Sequence, residues 1–176
     1  MTTDTEIESQ SMVDYLCSCG HKRIAFITSG DEGLGRCHLN GYKRSLEKNG
    51  LEYDEKLIIR LKPGKRIYTI ENGYNCTCEL LKSGVDFSCI YAISDTLAVG
   101  ACRAIIDSGK RVPEDYCVAG ADGQDIAEYY HPSITTLKYP RVETALQSVR
   151  TLFDLIDRKK VCLLYTSPSP RDTERS

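Results

Sequence analysis

The run IYAISDTLAVGACRAIIDSGKRVPEDYCVAGAD, residues 90–122, decides the fold. It reads as strand, helix, turn, strand. Ile90–Ile93 is a short apolar run, and Ser94 and Asp95 suit the cap of a following helix. Leu97, Ala98, Ala101, Ile105 and Ile106 then recur at helical spacing and make one apolar face. Gly109 ends that helix, and Val112-Pro113-Glu114-Asp115 turns the chain. Cys117–Gly120 is a second apolar run, short enough for a strand buried on both faces. A strand-helix-strand unit of this length is a parallel crossover. In a parallel sheet the carboxyl ends of the strands share one edge, and ligands bind in the crevice outside it. Asp95 follows the first strand and Asp122 the second, so the pattern predicts two carboxylates facing one crevice.

The same residues resemble the effector-binding region of the LacI/GalR family of bacterial transcription regulators. In that family an Asn-Asp or Ser-Asp pair opens a helix ending in Gly, a Val-Pro-Glu/Asp-Asp turn follows, and a strand closes in Gly-x-Asp. Here those features are Ser94-Asp95, Gly109, Val112–Asp115 and Gly120–Asp122. Further upstream, a helix running into Gly20-His21-Lys22-Arg23 and the apolar Ile24–Ile27 resembles the family in the same order. So does the Tyr129–Leu137 run, which in the family crosses between two lobes. The resemblance covers about Ser11 to Lys160. It implies an α/β fold with a parallel sheet and helices on both faces, of the periplasmic-binding-protein-like type I, truncated to mostly one lobe. Residues 1–134 are expected to form most of one effector-binding lobe, and 135–161 a crossover strand and helix of the other. Residues 162–176, whose CLLYTSPSPRD reads as the translation of a transposase sequencing adapter, are expected to take no part in the fold.

Composition narrows the function classes. A chain of 176 residues suits one domain, large enough to bury about 70% of its unfolded surface. With 41% hydrophobic and 27% charged residues it has the make-up of a globular protein. A net charge of -2 gives no electrostatic case for a nucleic-acid-binding face, and no segment reads as a recognition helix. No apolar run is long enough to span a bilayer, and the acidic start MTTDTEIESQ is not a secretory signal. Nine cysteines without such a signal read as reduced thiols in a cytoplasm. Cys17 with Cys19 and Cys76 with Cys78 lack the spacing of structural zinc pairs, so no metal site is expected.

The remaining segments alternate helix and strand. Glu8–Cys19 reads as a helix with Met12, Tyr15, Leu16 and Cys19 on one stripe, and Gly20 stops it. His21 reads as a turn residue tying that helix to the strand Ile24–Ile27. The glycine-rich Thr28–Gly35 follows a strand as phosphate loops do, but it has no Walker lysine, and Asp31 and Glu32 would repel phosphate. A helix from Arg36 to Asn49 is expected to cover the sheet with Leu39, Tyr42, Leu46 and the stem of Lys43. Leu57–Leu61 is a strand, Ile70–Lys82 a helix, Gly123–Tyr130 a short helix and Thr135–Leu137 a strand. Glu143–Arg158 is amphipathic.

The resemblance also assigns a site. In the family an arginine three residues before a Gly-aromatic pair grips the effector. The pair here is Gly41-Tyr42, and His38 stands at that position, with Arg36 two residues earlier. The guanidinium fork is thus absent or displaced. His38 is either a hydrogen-bonding replacement or an exposed first-turn residue. Tyr68 stands where the family places an aromatic cap over the ligand, or is a partly buried surface tyrosine. Ser94, Asp95 and Asp122 complete the expected ligand-binding set, with Asp95 alternatively a helix cap. The implied function is sensing of a small effector, a sugar above all, between two lobes whose arrangement controls operator binding. DNA would be met only through a headpiece that this sequence lacks, and the parent would be a cytoplasmic homodimer without a cofactor. A sugar-binding component of a transporter shares the fold and stays open. An enzyme using Asp95 and Asp122 as acid and base lacks a nucleophile or metal set.

Overall fold

The computed structural model describes residues 5–62, 64, 66–138 and 141–157. Residues Thr5–Lys138 form one compact unit. Within it α1 (Thr5–Ser18) leads into β1 (Ile24–Thr28), α2 (Gly33–Lys48), β2 (Ile58–Arg60), α3 (Ile70–Ser83) and β3 (Cys89–Ala92). α4 (Asp95–Asp107), β4 (Cys117–Ala119) and the short α5 (Asp125–Tyr129) follow.

The four strands form one parallel sheet in the order β2-β1-β3-β4. Parallel strands must be covered on both faces, and the sequence supplies this: every residue of β1 and of β3 is buried. The connection from β1 to β2 runs one way along the sheet and those from β2 to β3 and β3 to β4 run the other. With crossovers of one hand this puts α2 on one face and α3 and α4 on the opposite face. α1 packs with α2, and α3 with α4. On the α2 face Phe26 stacks between Tyr42, at 4.9 Å between ring centroids, and its register partner Tyr91, at 5.1 Å. Asp14 ties α1 to α2 by accepting from Ser45 Oγ at 2.5 Å, Lys48 Nζ at 2.6 Å and Asn49 Nδ2 at 2.9 Å. Burial opposes the charge on Asp14, but these bonds outweigh it and hold the carboxyl below its ordinary range.

The expected alternation of elements is present, with differences that have local causes. α1 begins three residues early and buries Met12, Val13 and Leu16 together with Glu8 and Ser9, while Tyr15 and Cys19 face solvent. The stripe is therefore rotated, because polar Glu8 and Ser9 take inward positions that hydropathy assigns outward. α2 also starts three residues early, at Gly33, which places His38 in its second turn. Lys43 does not lie along the sheet; its ammonium sits 4.4 Å above the Tyr53 ring. The expected strand Thr135–Leu137 is reduced to single parallel bridges, Ala119 with Thr135 and Asp122 with Lys138. α6 (Arg141–Ile156) belongs to a separate unit and is described by itself. It is amphipathic as expected, and Val142, Leu146, Val149, Leu152, Phe153 and Ile156 are exposed along it. The segment from Cys162 onward lies outside the described residues.

Candidate functional site

Because all four strands are parallel, the loops that follow them share one edge. Tyr68 follows β2, Arg36 and His38 follow β1, Ser94 and Asp95 follow β3, and Asp122 follows β4. The strand order reverses direction between β1 and β3, and a crevice opens at such a switch point. Arg36 and His38 flank it on one side, Ser94 and Asp95 on the other. Asp122 and Tyr68 each stand one strand further out.

On the β3–β4 side the acidic groups are organised by hydrogen bonds. Ser94 caps α4 through its hydroxyl, which accepts the Leu97 N–H at 3.3 Å. Asp95 is therefore the first helical residue and not the cap. Its carboxylate is fully buried and points back under the loop after β4. There Oδ2 accepts the Gln124 N–H at 2.6 Å and Oδ1 accepts the Thr136 hydroxyl at 2.5 Å. The Gly123 N–H donates in turn to Thr136 Oγ1 at 3.1 Å. Gly120 has to be glycine here, because a Cβ would run into Asp95 Oδ1. Asp122 is half-buried, and its Oδ2 accepts from Gln124 Nε2 at 3.1 Å. Its φ of 105° lies in the left-handed region that disfavours side chains. Gln124 thus links the two carboxylates, by its backbone to Asp95 and by its side chain to Asp122.

The two aspartates follow neighbouring strands at the same sheet edge, but they do not both face a crevice: Asp122 is half-exposed, whereas Asp95 is fully buried beneath the loop. Asp95 is walled in and orders the loop that carries Asp122. Gln124 and Thr136 are the residues sequence reading missed. The only available signal was indirect: a serine already caps α4, which leaves the next aspartate without a local task.

On the β1–β2 side the groups are less enclosed. Arg36 is exposed near the start of α2. His38 is half-buried, and its Nδ1 is enclosed with no hydrogen-bond partner among the described residues. Burial lowers its pKa to about 4, so the imidazole is neutral near pH 7. The reading of His38 as an exposed first-turn residue is overturned: it lies in the second turn, one turn before the buried Tyr42 and on the same face. Tyr68 is 46% exposed, just before Thr69 caps α3. Asp31, on the loop after β1, is paired with Arg60 at 2.7 Å, and Arg60 also reaches Glu55 at 2.6 Å. Outside the sheet's β2 edge, a cavity of about 410 Å³ is lined by β2, by Leu61 and Lys62 just after it, and by α3, with Asn72 and Asn75 among its residues. None of the expected site residues lines it. Among the described residues no group of three or more His, Cys, Asp or Glu side chains is arranged to hold a metal ion. No helix among them is long and apolar enough to cross a membrane.

A parallel sheet with its polar groups at a switch point is the architecture of ligand-binding α/β domains. The model of the periplasmic binding protein-like domain matches residues 13–173, and the chain belongs to that family. Its homologues are LacI-family helix-turn-helix-type transcriptional regulators. It is 41% identical over 146 residues to the transcriptional regulator MalR of Clostridium butyricum, covering 81% of this chain and 42% of MalR. A sugar-binding LacI-family regulator from Escherichia coli, solved with phosphate, superposes with a TM-score of 0.82 at 32% identity, covering 91% of this chain and 56% of that one. The regulator CelR in complex with cellobiose gives 0.81 at 30% identity, covering 93% of this chain and 49% of that one. The chain therefore spans about two fifths of the length of MalR and about half that of the solved regulators.

Proposed function

We propose that this chain is the ligand-sensing part of a transcriptional regulator and that its effector is a neutral sugar. Hydroxyl groups of the sugar donate to the Asp122 carboxylate, and Asp95 and Ser94 hold the loops that aim it. Arg36 and neutral His38 supply donors from the other side of the switch point, and Tyr68 covers an apolar sugar face. The effector favours one arrangement of the two lobes and so shifts the affinity of the whole protein for DNA. Contact with DNA is made through a separate headpiece. The regulator works as a homodimer in the cytoplasm and performs no catalysis.

The observation that supports a neutral ligand is the state of His38. An uncharged imidazole stands at the position that carries a guanidinium in the resembled family, so this side of the crevice has less positive charge to offer a carboxylate or phosphate. That CelR was solved with cellobiose supports the sugar class.

Isothermal titration calorimetry of the chain against glucose, ribose, cellobiose, a sugar phosphate and a nucleoside tests the reading. A neutral sugar is expected to bind, and Asp122→Asn to weaken it about 10- to 100-fold, the equivalent of one hydrogen bond to a charged group. Tighter binding of the sugar phosphate, or of the nucleoside alone, would overturn it.

A further inference from the structure

The edge of the sheet opposite the mouth gathers four thiols from three elements. β3 opens at Cys89 and β4 at Cys117, and these two are register partners. Neighbouring strands lie about 4.8 Å apart, and register partners point to the same face. Cys89 stands two residues before Tyr91, so both cysteines lie on the face covered by α1 and α2. A short turn joins α1 to β1, which brings Cys17, in the last turn of α1, and Cys19, just after it, to the same edge.

Hydrogen bonds pin this corner. The His21 ring Nδ1 is 2.9 Å from Ser88 Oγ, and the Ser88 carbonyl accepts the Cys117 N–H at 3.0 Å. His21 stands two residues after Cys19 and Ser88 one before Cys89, so the same bonds draw the end of α1 to the start of β3 and β4. Burial first, and then a thiolate at Cys19, raises the pKa of Cys117; burial and then Cys117, Cys19 and Cys17 raise that of Cys89. Access is graded, with Cys89 buried, Cys17 and Cys117 half-buried and Cys19 exposed.

We propose that Cys19 and Cys117 are a redox-responsive pair, in which hydrogen peroxide oxidises exposed Cys19 and Cys117 then closes a disulfide between the end of α1 and β4. The Cys19 thiolate attacks one peroxide oxygen, the O–O bond breaks, and the departing hydroxide takes the thiol proton and leaves as water. The Cys117 thiolate next attacks the sulfenic sulfur of Cys19, forms the S–S bond and expels hydroxide, which leaves as a second water with the Cys117 proton. Two electrons pass from the two sulfurs to the peroxide. Cys89 stays reduced behind them because it is out of reach of solvent. The proposal is independent of the effector reading.

Hydrogen peroxide treatment of the reduced chain, an alkylating quench and non-reducing peptide mapping test it. The expected product links the Cys19 peptide to the Cys117 peptide within one chain, and dithiothreitol reverses it. Cys19→Ser, at an exposed position, abolishes the link, and Cys78→Ser leaves it intact. Cys117→Ser leaves Cys19 as a sulfenic acid that dimedone traps. A bond from Cys117 to Cys89, a bond between two chains, or oxidation of Cys19 with Cys117 still a free thiol would overturn the proposal.

Discussion

The two sides of the mouth are built differently although they lie on one sheet edge. After β3 and β4 the polar groups satisfy one another: Asp95 holds Gln124 and Thr136, Thr136 holds Gly123, and Gln124 reaches Asp122. After β1 and β2, Arg36 and Tyr68 face solvent, and His38 has an enclosed nitrogen with no hydrogen-bond partner among the described residues. Desolvation explains the difference. A carboxylate taken fully out of water has to find its hydrogen bonds inside the fold, so Asp95 is committed to architecture. Asp122, half-exposed, is under no such demand. Residue type alone therefore does not tell which aspartate binds.

The largest expected effect breaks the enclosed side. Asp95→Ala removes the acceptor of two buried donors, the Gln124 N–H and the Thr136 hydroxyl, and should cost about 3–4 kcal/mol of unfolding free energy in urea titrations at pH 7. Asp122→Ala should cost far less in the same assay. If the two variants were equally stable, the division of labour between the aspartates would fail.

Acid should next expose the other side. The unfolded imidazole of His38 titrates near 6.5, whereas the folded one resists protonation down to about 4. Between those values the unfolded state binds a proton that the folded state refuses. Stability is complete above the unfolded value and falls as the pH drops towards about 4, by up to about 3 kcal/mol. Thermal unfolding of wild type and His38→Gln from pH 7 to pH 4 checks this. The variant should lose less stability across that window, and parallel curves would show that the ring is not enclosed.

A smaller effect sharpens the packing of the enclosed side. Gly120→Ala puts a methyl group against Asp95 Oδ1. The carboxylate must shift and its bonds to Gln124 and Thr136 lengthen, at a cost of about 2 kcal/mol. Combining Gly120→Ala with Asp95→Ala should cost less than the sum of the two, since the shortest contact, to Oδ1, goes with the carboxylate while that to the Asp95 Cα stays.

How far the sequence could be read follows the same division. The parallel sheet and its helices were legible because continuous apolar runs such as Ile24–Ile27 and Ile90–Ile93 alternate with helical periodicity and glycine stops. The shared edge was legible too, since it follows from topology alone. Depth was not. Whether Asp95 is covered depends on where Thr136 returns, and that contact spans forty-one residues. The inward face of α1 was misjudged for a related reason: Glu8 and Ser9 are buried by packing that no local pattern encodes. The position of His38 was left open because helix starts are uncertain by a few residues, and an expected first-turn residue proves to lie in the second turn, on the face of Tyr42.

The smallest stability change belongs to Asp122, and it is the sharpest test of the contrast. At φ 105° a side chain costs about 1 kcal/mol that glycine avoids. Asp122→Gly gains that relief, but it loses the interactions of the carboxylate, the bond from Gln124 Nε2 among them, and adds freedom to the unfolded chain. These terms nearly offset, so unfolding free energy should stay within about 0.5 kcal/mol of wild type. Sugar binding measured by calorimetry should nonetheless fall about 10- to 100-fold, because Asp122 is the half-exposed carboxylate to which the sugar hydroxyls are proposed to donate. A residue that carries strain yet adds little to stability is retained for something other than the fold. Should Asp122→Gly bind sugar as well as wild type, the strain at this turn would have to be explained by the loop itself, and the ligand would be sought nearer Arg36 and His38.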